Sequence, residues 1–132
     1  MNIFVEALST KEFFTSLKGV DESVVEDAEK KLGTHFSREY KEYLLKYGIA
    51  SIKGHEFLGL GSSNRLSVVD NTIQERAYNQ ELTTDYYIVE NIGMDSVLIA
   101  QDSKGRVYEV RSNCKPNLIA DSLSEYINCV CS

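Results

Sequence analysis

A chain of 132 residues, 42% hydrophobic and 26% charged with one proline, has the length and composition of one globular domain, not of a disordered or fibrous chain. Its formal net charge of −6 argues against direct binding of nucleic acid or an anionic membrane, which require clustered Lys and Arg, and favours a basic partner. Three cysteines, Cys114, Cys129 and Cys131, crowd at the C-terminal end, an odd set expected to stay reduced.

The opening MNIFVEALSTKEFF lacks a basic segment ahead of an apolar stretch, and no apolar run approaches the ~20 residues of a membrane span. A cytoplasmic protein is expected. Over residues 2–18, Phe4, Leu8, Phe13, Phe14 and Leu17 recur at roughly helical spacing, with Ser9 and Thr10 as a break point. Asp21 then reads as the cap of a helix carrying Val25, Ala28 and Leu32 on one stripe, with Lys30 and Lys31 in its last turn and Gly33 as its stop. The pattern repeats with Ser37 as cap, Glu39 in the first turn, Tyr40, Tyr43, Leu44 and Tyr47 on a stripe and Gly48 as stop.

After Gly48, Ile49, Ile52, Phe57, Leu58 and Leu60 interleave with glycines, which predicts short strands and turns. Ser67 followed by Asp70 resembles a capping box for a short surface helix through Val69, Ile73, Arg76 and Ala77. Residues 87–89, 97–100 and 107–110 are β-rich runs, the last two joined by the hairpin-like Asp102-Ser103-Lys104-Gly105, so an antiparallel meander is expected. Past Pro116, Asp121 is placed to cap a closing helix through Leu123, Ile127 and Val130. Helices, then sheet, then helix make an α+β fold.

The charge is not spread evenly. Residues 1–69 carry nine basic and ten acidic side chains and residues 103–132 four basic and three acidic, so the two ends cancel. Asp70, Glu75, Glu81, Asp85, Glu90, Asp95 and Asp102 stand against a single Arg76 in between, and this middle third supplies the whole net charge. Tyr78, Tyr86 and Tyr87 interleave with the acids, and an amphipathic ring beside carboxylates suits a binding surface.

Catalytic patterns are sparse. His35, His55 and the cysteines show no zinc-ligand spacing, so neither metal nor cofactor is expected. A Cys–His nucleophile needs no proximity in sequence, but Cys114 sits in a polar stretch without a recognisable motif. There is no P-loop, Rossmann glycine pattern or G-x-S-x-G. Acids spaced by four to seven residues read as a solvated face more readily than as an acid/base dyad.

From Val20 to Gly48, the string VDESVVEDAEKKLGTHFSREYKEYLLKYG resembles the opening signature of the SUKH superfamily, particularly its small bacterial Syd-like and YobK-type members. An acidic helix ends in Leu-Gly, and the next carries Tyr40, Lys41, Tyr43, Leu44 and Gly48 in the family pattern. Residues 119–127 look like its closing helix, so the resemblance spans about 20–130. Phe36-Ser37 stands where members often have Leu-Pro, and the tryptophan many members carry is missing. The resemblance implies one SUKH-like domain over residues 1–132: N-terminal helices, a central antiparallel meander and a C-terminal helix. It implies an immunity protein without catalysis, which binds the C-terminal domain of a cognate toxin, often a basic nuclease. Fungal relatives imply the alternative of a regulatory scaffold. The family motif assigns no contacts; from charge, the expected partner-binding residues are Asp70, Glu75, Tyr78, Glu81, Asp85, Tyr86, Glu90 and Asp95.

Overall fold

A computed structural model describes residues 3–62, 64–92, 97–111 and 114–130. Chain order gives α1 (Ile3–Ser9), β1 (Thr15–Ser16), α2 (Glu22–Leu32), α3 (Arg38–Lys46), β2 (Ala50–Ile52) and β3 (His55–Phe57). A 3₁₀ turn, Asn64–Leu66, then leads into α4 (Val68–Tyr78), β4 (Tyr86–Asn91), β5 (Leu98–Asp102), β6 (Val107–Val110), β7 (Asn117–Ala120) and α5 (Leu123–Val130). The seven strands form one antiparallel sheet in sequential order, as the meander predicts.

α1 is shorter than the apolar spacing suggests. The Ser9 and Thr10 hydroxyls donate back to the Glu6 and Ala7 carbonyls, closing the last turn. Phe13 has φ 60°, outside the helical region, and Phe13 and Leu17 are exposed. Thr15 and Ser16 instead pair with Ser51 and Ala50 at the edge of the sheet.

The next two helices begin and end where their caps place them. Asp21 is the extended N-cap residue of α2, but only its carbonyl is used, taking the Val24 and Val25 amides. Gly33 closes that helix in the left-handed conformation, and Val25, Ala28 and Leu32 are buried. The Ser37 hydroxyl accepts the Tyr40 amide at the start of α3. Three tyrosines then carry polar tips into the core. Tyr40 donates to the Leu58 carbonyl at 2.7 Å, Tyr43 to that of Phe57 at 3.2 Å and Tyr47 to that of Val5 at 3.3 Å. Burial pushes the Tyr40 and Tyr43 hydroxyls well above their ordinary pKa, which keeps them protonated as donors.

β3 leaves the sheet after Phe57, which pairs with Glu90, and α4 takes over the edge of β4. The Ile88 amide donates to Thr72 Oγ1 at 3.0 Å, and the Tyr86 carbonyl accepts from Arg76 Nη2 at 3.1 Å, so backbone groups that β3 no longer reaches are satisfied by α4 side chains. This decides which face of α4 is buried: Val68, Val69 and Thr72 point inward, while Ile73 and Ala77 lie on the exposed side of what is, as expected, a surface helix.

Two further corrections lie at the C-terminal end. Ile119 and Ala120, at the start of the expected closing helix, belong instead to β7, which pairs with β6. The cap of α5 is Ser122, whose hydroxyl accepts the Glu125 amide at 3.1 Å, one residue later than Asp121.

A buried amide joins these parts. Gln101, fully buried on β5, donates through Nε2 to Glu39 at 2.8 Å and to the Gly105 carbonyl at 3.0 Å. Its Oε1 accepts from Ser37 Oγ at 3.0 Å and Tyr87 at 2.7 Å. Glu39 also accepts the Leu123 amide at the start of α5; burial raises its pKa against the pull of these bonds.

Two substitutions test this packing by urea unfolding. Gln101→Leu takes one hydrogen-bond partner from each of Ser37, Tyr87, Glu39 and the Gly105 carbonyl and is expected to cost about 3 kcal/mol. A Cβ on Gly59 would lie 1.7 Å from the Gly48 carbonyl oxygen, while one on Gly33 meets nothing within 4 Å. Gly59→Ala is therefore expected to cost about 3 kcal/mol, and Gly33→Ala only the ~1 kcal/mol of its left-handed backbone.

Candidate functional site

The surface that the charge pattern singles out is built on α4 and the loop that follows. With Val68, Val69 and Thr72 turned inward, helical geometry puts Asp70, Ile73, Gln74, Ala77 and Tyr78 on the opposite, exposed side. Tyr78 is 81% exposed and Ile73 48%, so two large apolar groups stand among polar ones. Asn79 then stops the helix. Its Oδ1 accepts the Glu81 amide at 3.0 Å and its Nδ2 donates to the Arg111 carbonyl at 3.5 Å. Leu82 is buried beside it, and the Asp85 amide bonds Thr83 Oγ1, so the loop is pinned with Glu81 half-buried and Asp85 exposed. Tyr86 opens β4 half-buried, its ring edge-on to Tyr108 at 5.1 Å.

Five of the expected contact residues, Asp70, Tyr78, Glu81, Asp85 and Tyr86, therefore lie along one stretch of chain with exposed or half-exposed side chains. Glu75 is half-buried on the flank of α4, and Asp95 lies outside the described residues. Glu90 is corrected: it is 3% exposed and cannot meet a partner. A register shift between Ile88 and Glu90 accompanies its burial, and its carboxylate accepts from Tyr126 at 2.6 Å and lies 2.6 Å from His55 Nδ1. Asp102 is also used internally, accepting the Lys104 and Arg106 amides, Arg106 Nε and the Tyr108 hydroxyl.

Arg76 decides the electrostatics. It is the one cation among residues 70–102, and its guanidinium turns inward, donating to the Leu32 carbonyl at 2.7 Å and the Tyr86 carbonyl at 3.1 Å. It caps the negative end of α2 and leaves Asp70 on α4, and Glu81 and Asp85 in the loop, without an ion-pair partner among the described residues. Its Nε is buried without a hydrogen-bond partner among the described residues, and burial lowers its pKa.

Two residues of this area were missed in the sequence. Ile73 belongs to the expected surface helix without being marked as a contact residue, and the inward duty of Arg76 has no sequence signal, because it depends on where β3 ends. Elsewhere, pockets of 210 and 380 Å³ adjoin across β2 and β3, share Ser51 and Glu56 and take no residue from α4. The α4 surface thus suits a macromolecule more than a small ligand. Cys114 and Cys129 are exposed free thiols, and among the described residues no three His, Cys, Asp or Glu side chains gather as a metal-binding group. No helix among them is long and apolar enough to cross a membrane.

Arg76→Ala leaves two carbonyls unpaired and is expected to lower unfolding stability by about 2 kcal/mol in urea titration, although it makes the surface more acidic.

The SUKH_5 family model, described as SMI1-KNR4 cell-wall, matches residues 1–131. No curated protein matches the chain. With its helices, sequential antiparallel sheet and closing helix as described, the chain belongs to the SUKH_5 family, and so to the SUKH superfamily that its Tyr40 to Gly48 motif resembles.

Proposed function

We propose that this chain is a cytoplasmic immunity protein that binds and neutralises a cognate toxin domain of basic, nuclease type, through the outer side of α4 and the loop to β4. Membership of the SUKH family is consistent with an immunity role. The observation that carries the reading is the pairing of acids without an ion pair among the described residues, Asp70, Glu81 and Asp85, with exposed Ile73 and Tyr78 while Arg76 faces inward. A nuclease presents Lys and Arg to phosphate, so an acidic inhibitor speeds encounter by steering and gains specificity from complementary charge. Tyr78 and Ile73 supply the apolar anchors that hold such a complex once formed. No nucleic acid or membrane contact belongs to this reading.

The family description, with its mention of the cell wall, supports a second reading in which the same face serves a regulatory scaffold. A toxin gene beside the gene for this chain favours immunity, and its absence the scaffold.

The test is co-expression with the toxin domain encoded next to this gene, scoring survival and co-purification. The native chain is expected to protect, and the triple variant Asp70→Lys, Glu81→Lys, Asp85→Lys to lose protection with its melting temperature kept. Tyr78→Ala is expected to weaken binding by roughly 2 kcal/mol, about thirtyfold. Full protection by the triple variant overturns the assignment. Glu90 has no place in such a variant, because a buried lysine there would unfold the chain.

A further inference from the structure

We infer that His55, Glu90 and Tyr126 form a protonation-controlled clasp between the sheet and α5, closed while the imidazole carries its second proton and loosened when that proton leaves. The inference goes beyond the proposed function and holds whether or not α4 binds a toxin. Glu90 is a carboxylate 3% exposed, on β4. Its Oε1 accepts from the Tyr126 hydroxyl on α5 at 2.6 Å, and its Oε2 lies 2.6 Å from His55 Nδ1 on β3. The three elements thus meet on one buried charge. The His55 side chain retains 18% exposure and stacks at 6.3 Å on Phe57, so the ring is held yet can exchange its proton with water.

Among the described residues, charged groups on the neighbouring elements have partners of their own. Glu56 of β3 pairs with Arg65, Lys53 in the β2–β3 turn pairs with Glu12, and Lys11 after α1 donates to Asn128 on α5. Glu90 is left with a titratable counter-charge. With His55 protonated, the buried carboxylate is neutralised; with His55 neutral, it keeps its hydrogen bonds but carries an unbalanced charge. Releasing Tyr126 and admitting water is then the cheaper state, which loosens α5.

The hydrogen bond to Glu90 raises the His55 pKa above 6.5, its charge adds to the effect and burial opposes it. A raised histidine pKa gives stability that is complete below the unfolded value and is lost as pH rises through the folded one. The clasp therefore opens on the alkaline side.

The experiment follows the His55 ring by NMR and the Tyr126, Ile127 and Asn128 amides by hydrogen exchange, from about pH 5.5 to about pH 9, corrected for intrinsic exchange. The opening constant is expected to rise about tenfold for each pH unit by which the measured His55 pKa exceeds that of the unfolded chain. His55→Gln should remove this rise. Tyr126→Phe, which keeps the ring and loses the hydroxyl, should open α5 at every pH. A pH-independent α5, or a rise that persists in His55→Gln, overturns the clasp. If His55→Gln fails to fold, a native His55 pKa at or below 6.5 overturns it equally.

Discussion

The side-chain amide of Gln101 has four hydrogen-bonding positions, and in the interior all four are filled: Glu39 and the Gly105 carbonyl take its hydrogens, and Ser37 and Tyr87 supply its oxygen. A buried amide left partly unpaired would cost about 1–3 kcal/mol, so the groups around it have little freedom to move separately. Ser37 fixes the start of α3, Gly105 the β5–β6 hairpin and Glu39 the amide at the start of α5. With α3 fixed, its tyrosines reach the carbonyls of Leu58, Phe57 and Val5, and these contacts bring β3 and α1 onto the same core. The family motif around Tyr40 and Tyr43 thus has a physical content: rings that fill the core and hydroxyls that satisfy backbone groups where strand pairing stops.

The same logic separates the acids into two populations. Where β3 departs, β4 needs partners, and Thr72 and Arg76 on α4 provide them. That fixes the rotation of α4, draws the local cation inward and leaves Asp70, Ile73 and Tyr78 outside. Glu90 and Asp102, on the strands themselves, are buried and spend their charge inside the fold. A net charge of −6 is a property of the whole chain; the part a partner can feel is set by strand pairing.

Local rules carried the sequence a long way where they act alone. Gly33 and Ser37 bound their helices as expected, and the Asp102–Gly105 hairpin formed where its turn residues stand. They failed where a distant partner decides. Ile119 and Ala120 resemble the start of the closing helix because nothing nearby announces that β6 offers them an edge. The Val69, Ile73, Arg76 and Ala77 spacing marks a surface helix but not which side faces in; Thr72, required by Ile88, sets that rotation. Of the candidate site, the acidic stretch was legible in composition. The burial of Glu90 was not, since its partners His55 and Tyr126 lie 35 and 36 residues away in the chain.

The central claim is that the outer side of α4 and the loop to β4 is where a toxin domain sits. It is tested most directly by the hydrogen-exchange footprint of the purified complex with the toxin domain encoded beside this gene, compared with the free chain. The account requires slowed exchange across residues 70–85, with β7 and the β2–β3 turn unchanged. A stable complex whose footprint lies on β7 or the β2–β3 turn, with α4 exchanging as in the free chain, would contradict it.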